Sequence, residues 1–191
     1  PIGEIRPRLL FLGDSITQGC LSAHPAQTYV NLLAETLGFE AINQGIANCW
    51  HLSEHLTGIG EMSEPHLITI AYGTNDWSTL PTLAAIRENI RAYYRRLNDA
   101  FPGKPIFAIS PIWRADMDET RACGSFDQIK LIIEGEAAVW PNMTVIDGLS
   151  ISPDHSAFYS DLYLHPNEAG FAIMSQRLAE IIGRSYNFRM I

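Results

Sequence analysis

Brief apolar runs alternate along the chain with longer segments in which apolar residues recur at helical spacing. The brief runs are bounded by glycine, proline or polar residues, a pattern typical of buried strands. They cover residues 8–12, 39–43, 66–72, 105–109 and 143–146. The longer segments predict helices, because their apolar residues fall on one face. They cover residues 27–37, 79–101, part of 125–140, and 166–182.

Strands that alternate with helices predict a mainly parallel sheet with helices on both of its faces. Right-handed crossovers then give a three-layer α/β/α sandwich. We expect a flavodoxin-like sheet of five parallel strands in the order 2-1-3-4-5. A length of 191 residues favours one domain over residues 1–191, and the start at Pro1 is compatible with a mature form or with a domain excised from a longer chain.

The amino-acid composition limits the kinds of molecule that the protein is expected to bind. A formal net charge of −8 argues against a general nucleic-acid binder, which needs a basic face, and against docking on an anionic membrane surface. No apolar stretch approaches the roughly 20 residues that span a bilayer, so we expect no membrane insertion. Without a visible signal peptide, we expect a cytoplasmic location for a complete chain and a secreted or periplasmic one for an excised domain. Composition leaves the oligomeric state open.

Candidate groups for chemistry follow the ends of the predicted strands. Ser15 lies on the turn after the first strand, where an open α/β sheet presents its reactive groups. Gly45 follows the second strand, and Asn75 follows the third. Asp161 and His165 precede the last helix. A serine, neutral hydrogen-bond donors and a histidine base together form a set suited to acyl transfer.

These residues lie in blocks that resemble, in order and over almost the whole chain, the four sequence blocks of the SGNH (GDSL) hydrolase family. The blocks are Gly13-Asp14-Ser15, Gly45, Gly73-Thr74-Asn75-Asp76 and His165-Pro166. The resemblance implies ester hydrolysis without a metal or cofactor. By position it implies that Ser15 is the nucleophile, His165 the base and Asp161 the acid that orients the imidazole. It also implies an oxyanion hole formed by the backbone N–H groups of Ser15 and Gly45 and the side-chain amide of Asn75.

The spacing of the acid and the base departs from the family. Two residues commonly separate them, whereas three lie between Asp161 and His165, and Leu162 occupies the usual acid position. Asp154 is therefore an alternative acid. A Ser–His pair aided by a backbone carbonyl is a third arrangement.

A second cluster contains residue types that bind metals. His51 and His55 have i, i+4 spacing, and Cys49 and Glu54 lie close in sequence. A zinc site is one interpretation, but paired cysteines at ligand spacing are absent. A solvated helix start or a rim of the substrate cleft is the other, and we expect no metal.

Three tryptophans lie at or near predicted strand ends, namely Trp50, Trp77 and Trp113. They are candidates for an apolar or stacking wall in the substrate site, and core packing is the alternative.

The predicted loops are short and include no large insertion that could form a lid, so we expect an open cleft suited to short acyl chains. Residues 18–20 with Pro25, Tyr29 and 43–45 resemble a branch of the family often found beside a sugar-binding β-sandwich. The predicted substrate is a small-molecule or carbohydrate ester, preferably a carbohydrate O-acetyl group. The alternatives are a broad short-chain arylesterase or thioesterase, a lysophospholipase, and a catalytically silent ligand-binding module.

Overall fold

A computed structural model describes residues 6–62 and 64–186. The strands are, in chain order, β1 (Arg8–Gly13), β2 (Glu40–Gly45), β3 (Leu67–Ala71), β4 (Ile106–Ile109), β5 (Thr120–Arg121), β6 (Gly124–Ser125) and β7 (Met143–Ile146). Five of them form a parallel sheet in the order β2-β1-β3-β4-β7, and β5 pairs with β6 in a small antiparallel hairpin. With β7 as the fifth long strand, the predicted order and the α/β fold are confirmed.

Helices cover both faces of the sheet. They are α1 (Ser15–Gln18), α2 (Tyr29–Leu37), α3 (Ile59–Met62), α4 (Thr74–Thr79), α5 (Leu83–Ala100), α6 (Phe126–Ala137), α7 (Gly148–Ile151) and α8 (Glu168–Ser185). Strand β1 shows how the two cores arise, because its side chains alternate between them. Leu9 and Phe11 pack with α2 and α8, whereas Leu10 and Leu12 pack with α5 and α6. All four side chains are at most 3% exposed.

The helix predicted over residues 79–101 corresponds to α5, which begins four residues later, at Leu83. A separate short helix that the pattern does not predict, α4, precedes it and ends at Thr79. Pro81 explains the break, since proline lacks an N–H and restricts the residue before it. Thr82 then caps α5, with its hydroxyl accepting a hydrogen bond from the Ala85 N–H at 3.2 Å.

Two arginines on the outer face of α5 also contact α6. Arg87 and Arg91 both donate to the carboxylate of Glu136 on α6, at 2.9–3.0 Å. That carboxylate is 7% exposed, and hydrogen bonding to Arg91 lowers its pKa despite the opposing effect of burial. The two arginines thus connect α5 to α6 as well as facing water.

Strand register brings three loops to one edge of the sheet. Gly13 pairs with Gly45 in β2 and with Ala71 in β3. The loops that follow these strands therefore start at the same level, and they carry the candidate residues of the first three blocks. Within the described ranges, no helix has the length and apolar character needed to cross a membrane.

Candidate active site

Ser15 is the first residue of α1 and follows the end of β1 with one residue, Asp14, between them. Asp14 caps this short helix, because its carboxylate accepts a hydrogen bond from the Ile16 N–H at 2.9 Å. The Ser15 hydroxyl lies 2.9 Å from Nε2 of His165, a residue 150 positions later in the chain. This distance allows the imidazole to accept the serine proton, which is the activation that a neutral hydroxyl requires.

Asp161 uses its two carboxylate oxygens for different partners. Oδ2 lies 2.7 Å from Nδ1 of His165. Oδ1 accepts the backbone N–H groups of Tyr163, Leu164 and His165 at 2.8–3.1 Å. Partial burial would raise the pKa of this carboxyl, but the hydrogen bonds from Leu164 and His165 outweigh it and hold the pKa at about 2. The carboxylate therefore stays ionised and holds the imidazole by its distal nitrogen.

The additional residue between Asp161 and His165 is accommodated by the backbone. Leu162 adopts a left-handed conformation with φ of 59°. The turn that results directs the next three N–H groups toward Asp161, and such convergent amides favour an anion. The alternative acid, Asp154, is exposed on the surface, whereas Asp161 is the carboxylate in contact with the imidazole.

Asn75 lies in the first turn of α4, after β3. Its side-chain nitrogen donates one hydrogen to the Cys49 carbonyl at 2.9 Å. A primary amide has two such hydrogens, so the second remains available for a substrate oxygen. Ser15 contributes a further donor, because the N–H of the first helical residue has no partner within its helix.

Gly45 is required at the end of β2 for a close approach. A Cβ at this position would collide with the backbone of Thr17 and Gln18 in α1. The Gly45 N–H donates to the side-chain oxygen of Asn43 at 2.8 Å. An oxyanion would therefore have to share this N–H with the Asn43 oxygen, or displace that oxygen from the N–H.

In the structure, His51 belongs to a buried histidine–aspartate pair, not to the expected solvated helix start or cleft rim. His51 and Asp76 are at most 1% exposed, and Oδ1 of Asp76 contacts both Nδ1 and the backbone N–H of His51, at 3.0 and 3.3 Å. Three tyrosine rings surround the imidazole, namely Tyr72, Tyr93 and Tyr94. His55 is exposed, and in the described residues no three His, Cys, Asp or Glu side chains lie together as metal ligands would. His51 is therefore neither a rim residue nor a ligand in such a cluster.

The tryptophans occupy different environments. Trp77 is 1% exposed; its ring packs against Phe126, and its indole N–H donates to the Gly124 carbonyl. The prediction that Trp77 lines the cleft is therefore corrected: this ring belongs to the core. Trp113 is half-buried with its ring 4.6 Å from that of Tyr159, and Trp50 is also half-buried. These two remain candidates for contact with substrate.

Arg114 is a site residue that the sequence patterns missed. Its guanidinium is buried, with a side chain 4% exposed, and it pairs with Asp116. It also donates to the Thr74 hydroxyl at 2.8 Å and to the Tyr163 hydroxyl at 3.1 Å. Thr74 precedes Asn75, and Tyr163 lies between Asp161 and His165. One side chain thus joins the element bearing the amide donor to the loop bearing the acid and base.

The carboxyl of Asp14 is the most perturbed acid near the serine. Burial raises its pKa from 3.8 to about 7, an effect that the hydrogen bond from Ile16 only partly opposes. The negative charge of Asp76 adds to the rise. Asp14 is therefore an acid that gains and loses its proton near neutral pH while capping the helix of Ser15.

Comparison with solved structures identifies the same fold in several enzymes. A salicylyl-acyltransferase, SsfX3, from a tetracycline biosynthetic pathway is 19% identical with a TM-score of 0.77, over 94% of this chain and 55% of that one. This chain therefore spans about half the length of that protein. A carbohydrate acetylesterase from Sinorhizobium meliloti is 14% identical with a TM-score of 0.75, over 95% of this chain and 100% of that one. An aryl esterase from M. smegmatis is 19% identical with a TM-score of 0.71, over 94% and 99% of the two chains.

No curated protein sequence matches the chain significantly. The sequence pattern of the GDSL-like lipase/acylhydrolase family, by contrast, matches residues 11–173. That match includes every block described above and most of the sheet. The chain therefore belongs to the GDSL-like lipase/acylhydrolase family.

Proposed function

We propose that this chain hydrolyses carboxylic esters through an acyl-enzyme on Ser15. The observation that carries the proposal is the continuous hydrogen-bonded series from the Ser15 hydroxyl through His165 to Asp161, with distances of 2.9 and 2.7 Å. A hydroxyl, an imidazole and a carboxylate in this order form the arrangement that activates a serine for acyl transfer.

In the first half of the reaction, the Ser15 oxygen attacks the ester carbonyl while its proton moves to Nε2 of His165. The tetrahedral intermediate then expels the alcohol, which takes that proton from His165. In the second half, a water molecule attacks the acyl group, gives a proton to His165, and releases the carboxylic acid as Ser15 recovers its proton. Asp161 stabilises the imidazolium that forms in each half.

The carbonyl oxygen becomes negatively charged in each tetrahedral intermediate and needs donors. The free amide hydrogen of Asn75 and the N–H of Ser15 are the proposed donors, and Gly45 joins them if an oxyanion shares its N–H with Asn43. The bond from Asn75 to the Cys49 carbonyl supports this role, because it fixes the amide before substrate arrives. By analogy with other serine hydrolases, losing one such donor costs about 3 kcal/mol of transition-state stabilisation.

The proposed substrates are short-chain O-acyl esters, preferably acetyl esters of carbohydrates. The likeness in fold to a carbohydrate acetylesterase and the sequence resemblance to a sugar-associated branch of the family motivate this choice. Half-buried Trp113 and Trp50 remain proposed contacts for the substrate. A broad short-chain arylesterase is the second candidate, favoured by the likeness in fold to an aryl esterase.

A substrate series tests the proposal. Initial rates are measured with p-nitrophenyl acetate, butyrate and octanoate and with acetylated sugars, for the native chain and for Ser15→Ala. We expect acetate to exceed octanoate, acetylated sugars to be deacetylated, and Ser15→Ala to lose the activity. Octanoate as the best substrate would contradict the choice of acyl group. A native chain with no turnover and no labelling by a fluorophosphonate would instead indicate a silent binding module.

A further inference from the structure

Exposed apolar side chains concentrate around the candidate site. In the parts of the chain that the structure describes, six large hydrophobic side chains are exposed. Two belong to α6 and the turn after it. The other four lie in the loops that carry the site residues: Leu21, Ile46, Leu162 and Tyr163. An exposed apolar patch beside reacting groups marks a binding surface more often than isolated exposure does.

Two of these residues, Leu21 and Leu162, have an unusual backbone. Their φ values are 63° and 59°, in the left-handed region that glycine and asparagine occupy most readily. Among the described residues only one other non-glycine residue has a positive φ, and it is an asparagine, Asn48. Glycine or asparagine would suffice if only the backbone turn mattered. The presence of leucine at both positions therefore needs a separate explanation.

The two leucines lie in neighbouring loops. The Ser160 hydroxyl donates to the Leu21 carbonyl at 3.0 Å, which brings the Leu21 backbone beside the segment that contains Leu162. The side chains of Leu21 and Leu162 are 57% and 64% exposed. We call this pair the leucine rim. Leu162 belongs to the loop between Asp161 and His165, and Leu21 lies beside the start of that loop.

The chemistry indicates which part of an ester meets the leucine rim. His165 returns its proton to the alcohol oxygen, so that oxygen must come within hydrogen-bond reach of Nε2. The carbonyl oxygen points the other way, toward the donors on α1 and α4. The group attached to the alcohol oxygen is therefore the part of the ester that must approach the His165 loop.

We propose that Leu21 and Leu162 determine specificity by packing against an apolar face of the alcohol portion of the ester. This inference rests on the proposed function and adds the chemical character of the leaving group. An aryl ring and the C–H face of a sugar ring both supply such a face, whereas a methyl alcohol does not. Each leucine that covers part of this face strengthens binding through apolar area removed from water.

Asparagine substitutions test the leucine rim without disturbing its backbone, because asparagine tolerates the left-handed conformation. The variants are Leu21→Asn and Leu162→Asn, and the matched control is Leu131→Asn, which removes a leucine that is 63% exposed on α6. KM and kcat are measured with methyl, p-nitrophenyl and 1-naphthyl acetate and with an acetylated methyl glycoside. Comparing p-nitrophenyl acetate with the butyrate varies the acyl group alone.

We expect each rim variant to raise KM for 1-naphthyl acetate about fivefold relative to KM for methyl acetate, with the kcat ratio of the two substrates as in the native chain. Leu131→Asn should match the native chain. A raised KM for the glycoside as well would identify the sugar face as one that the rim accepts, and an unchanged value would restrict the rim to aryl groups. An unchanged KM for 1-naphthyl acetate, or a change that follows the acyl chain, would overturn the inference. Failure of the proposed function would appear differently, as no turnover by the native chain.

Discussion

Asp161 combines a structural and an electrostatic task in one carboxylate. Oδ1 gathers three backbone N–H groups, and Oδ2 contacts the imidazole. The first oxygen fixes the loop, and the second fixes which nitrogen of His165 carries the proton. Because these tasks belong to different oxygens, one substitution can separate them.

Asp161→Asn should keep the loop and lose the catalysis. The asparagine oxygen can still accept the three N–H groups, but its NH₂ group would face Nδ1 and favour the tautomer in which Nε2 is protonated. That nitrogen could then not accept the Ser15 proton. We expect kcat to fall on the order of a thousandfold or more, with the free energy of unfolding little changed.

Asp154→Asn is the matched control, since Asp154 is exposed and has been the alternative acid. Steady-state kinetics of both variants decide between the two carboxylates. A loss of activity in Asp154→Asn, with Asp161→Asn unaffected, would contradict the assignment.

Asp14 should lower the free energy of unfolding as the pH rises, which is opposite to the usual effect of a carboxyl group. Its pKa is about 7 in the fold and near 3.9 in an unfolded chain. Between these values the folded state binds more protons, so the contribution of Asp14 to stability is complete below pH 4 and is lost as the pH rises through 7. Asp14→Asn should therefore become more stable relative to the native chain as the pH rises from 4 to 8.

A pKa of about 7 in the fold, against about 3.9 when unfolded, corresponds to a change in the free energy of unfolding on the order of 4 kcal/mol. Urea unfolding of both proteins at several pH values measures it. Asparagine can still cap α1 through its side-chain oxygen, so the difference isolates the ionisation. A stability difference that stays constant from pH 4 to 8 would show that Asp14 ionises normally.

Helix α4 and the loop before His165 must keep a fixed relative position for the reaction, and Arg114 connects them. It binds Thr74 at the start of α4 and Tyr163 in the loop before His165. The backbone adds a second connection, from the Ala115 N–H to the Tyr163 carbonyl at 2.9 Å. Arg114 therefore acts as a positioning residue between Asn75 and His165.

Arg114→Lys should weaken this link, because an ammonium group cannot reproduce the planar array of donors. We expect kcat to fall roughly ten- to a hundredfold, since small displacements of catalytic groups are costly, and KM to change less than kcat. Arg121→Lys is the control, as Arg121 contacts the same Asp116 but is more exposed. Equal kinetics for the two variants would remove the positioning role from Arg114.

At the scale of helices and strands, sequence patterns predicted most of the elements. Buried strands and long amphipathic helices were recognisable because their periodicity is local, as in β1 and α8. Pro81 is a helix-breaking residue that the sequence shows. The regular apolar spacing of α5 nevertheless led to a predicted helix that begins before it. Contacts such as His51 with Asp76, or Arg114 with Tyr163, join residues 25 and 49 positions apart. No local pattern encodes them.

For the whole molecule, the order of the sheet explains why so much of the candidate site was predictable. Parallel strands end at one edge, so residues that follow β1, β2 and β3 must meet there. Ser15, Gly45 and Asn75 could be grouped on that ground. The environments of individual side chains were harder to predict: Trp77 follows the same strand end as Asn75, yet the helix that begins there turns it into the core.

Across the whole molecule, segments distant in sequence converge to make Ser15 a nucleophile. Rapid acid quench of the native chain with p-nitrophenyl acetate, followed by mass spectrometry of its peptides, tests it directly. We expect one acetyl group on the peptide containing Ser15, and none in Ser15→Ala. Ester turnover with no acetylated peptide, and equal turnover by Ser15→Ala, would contradict it.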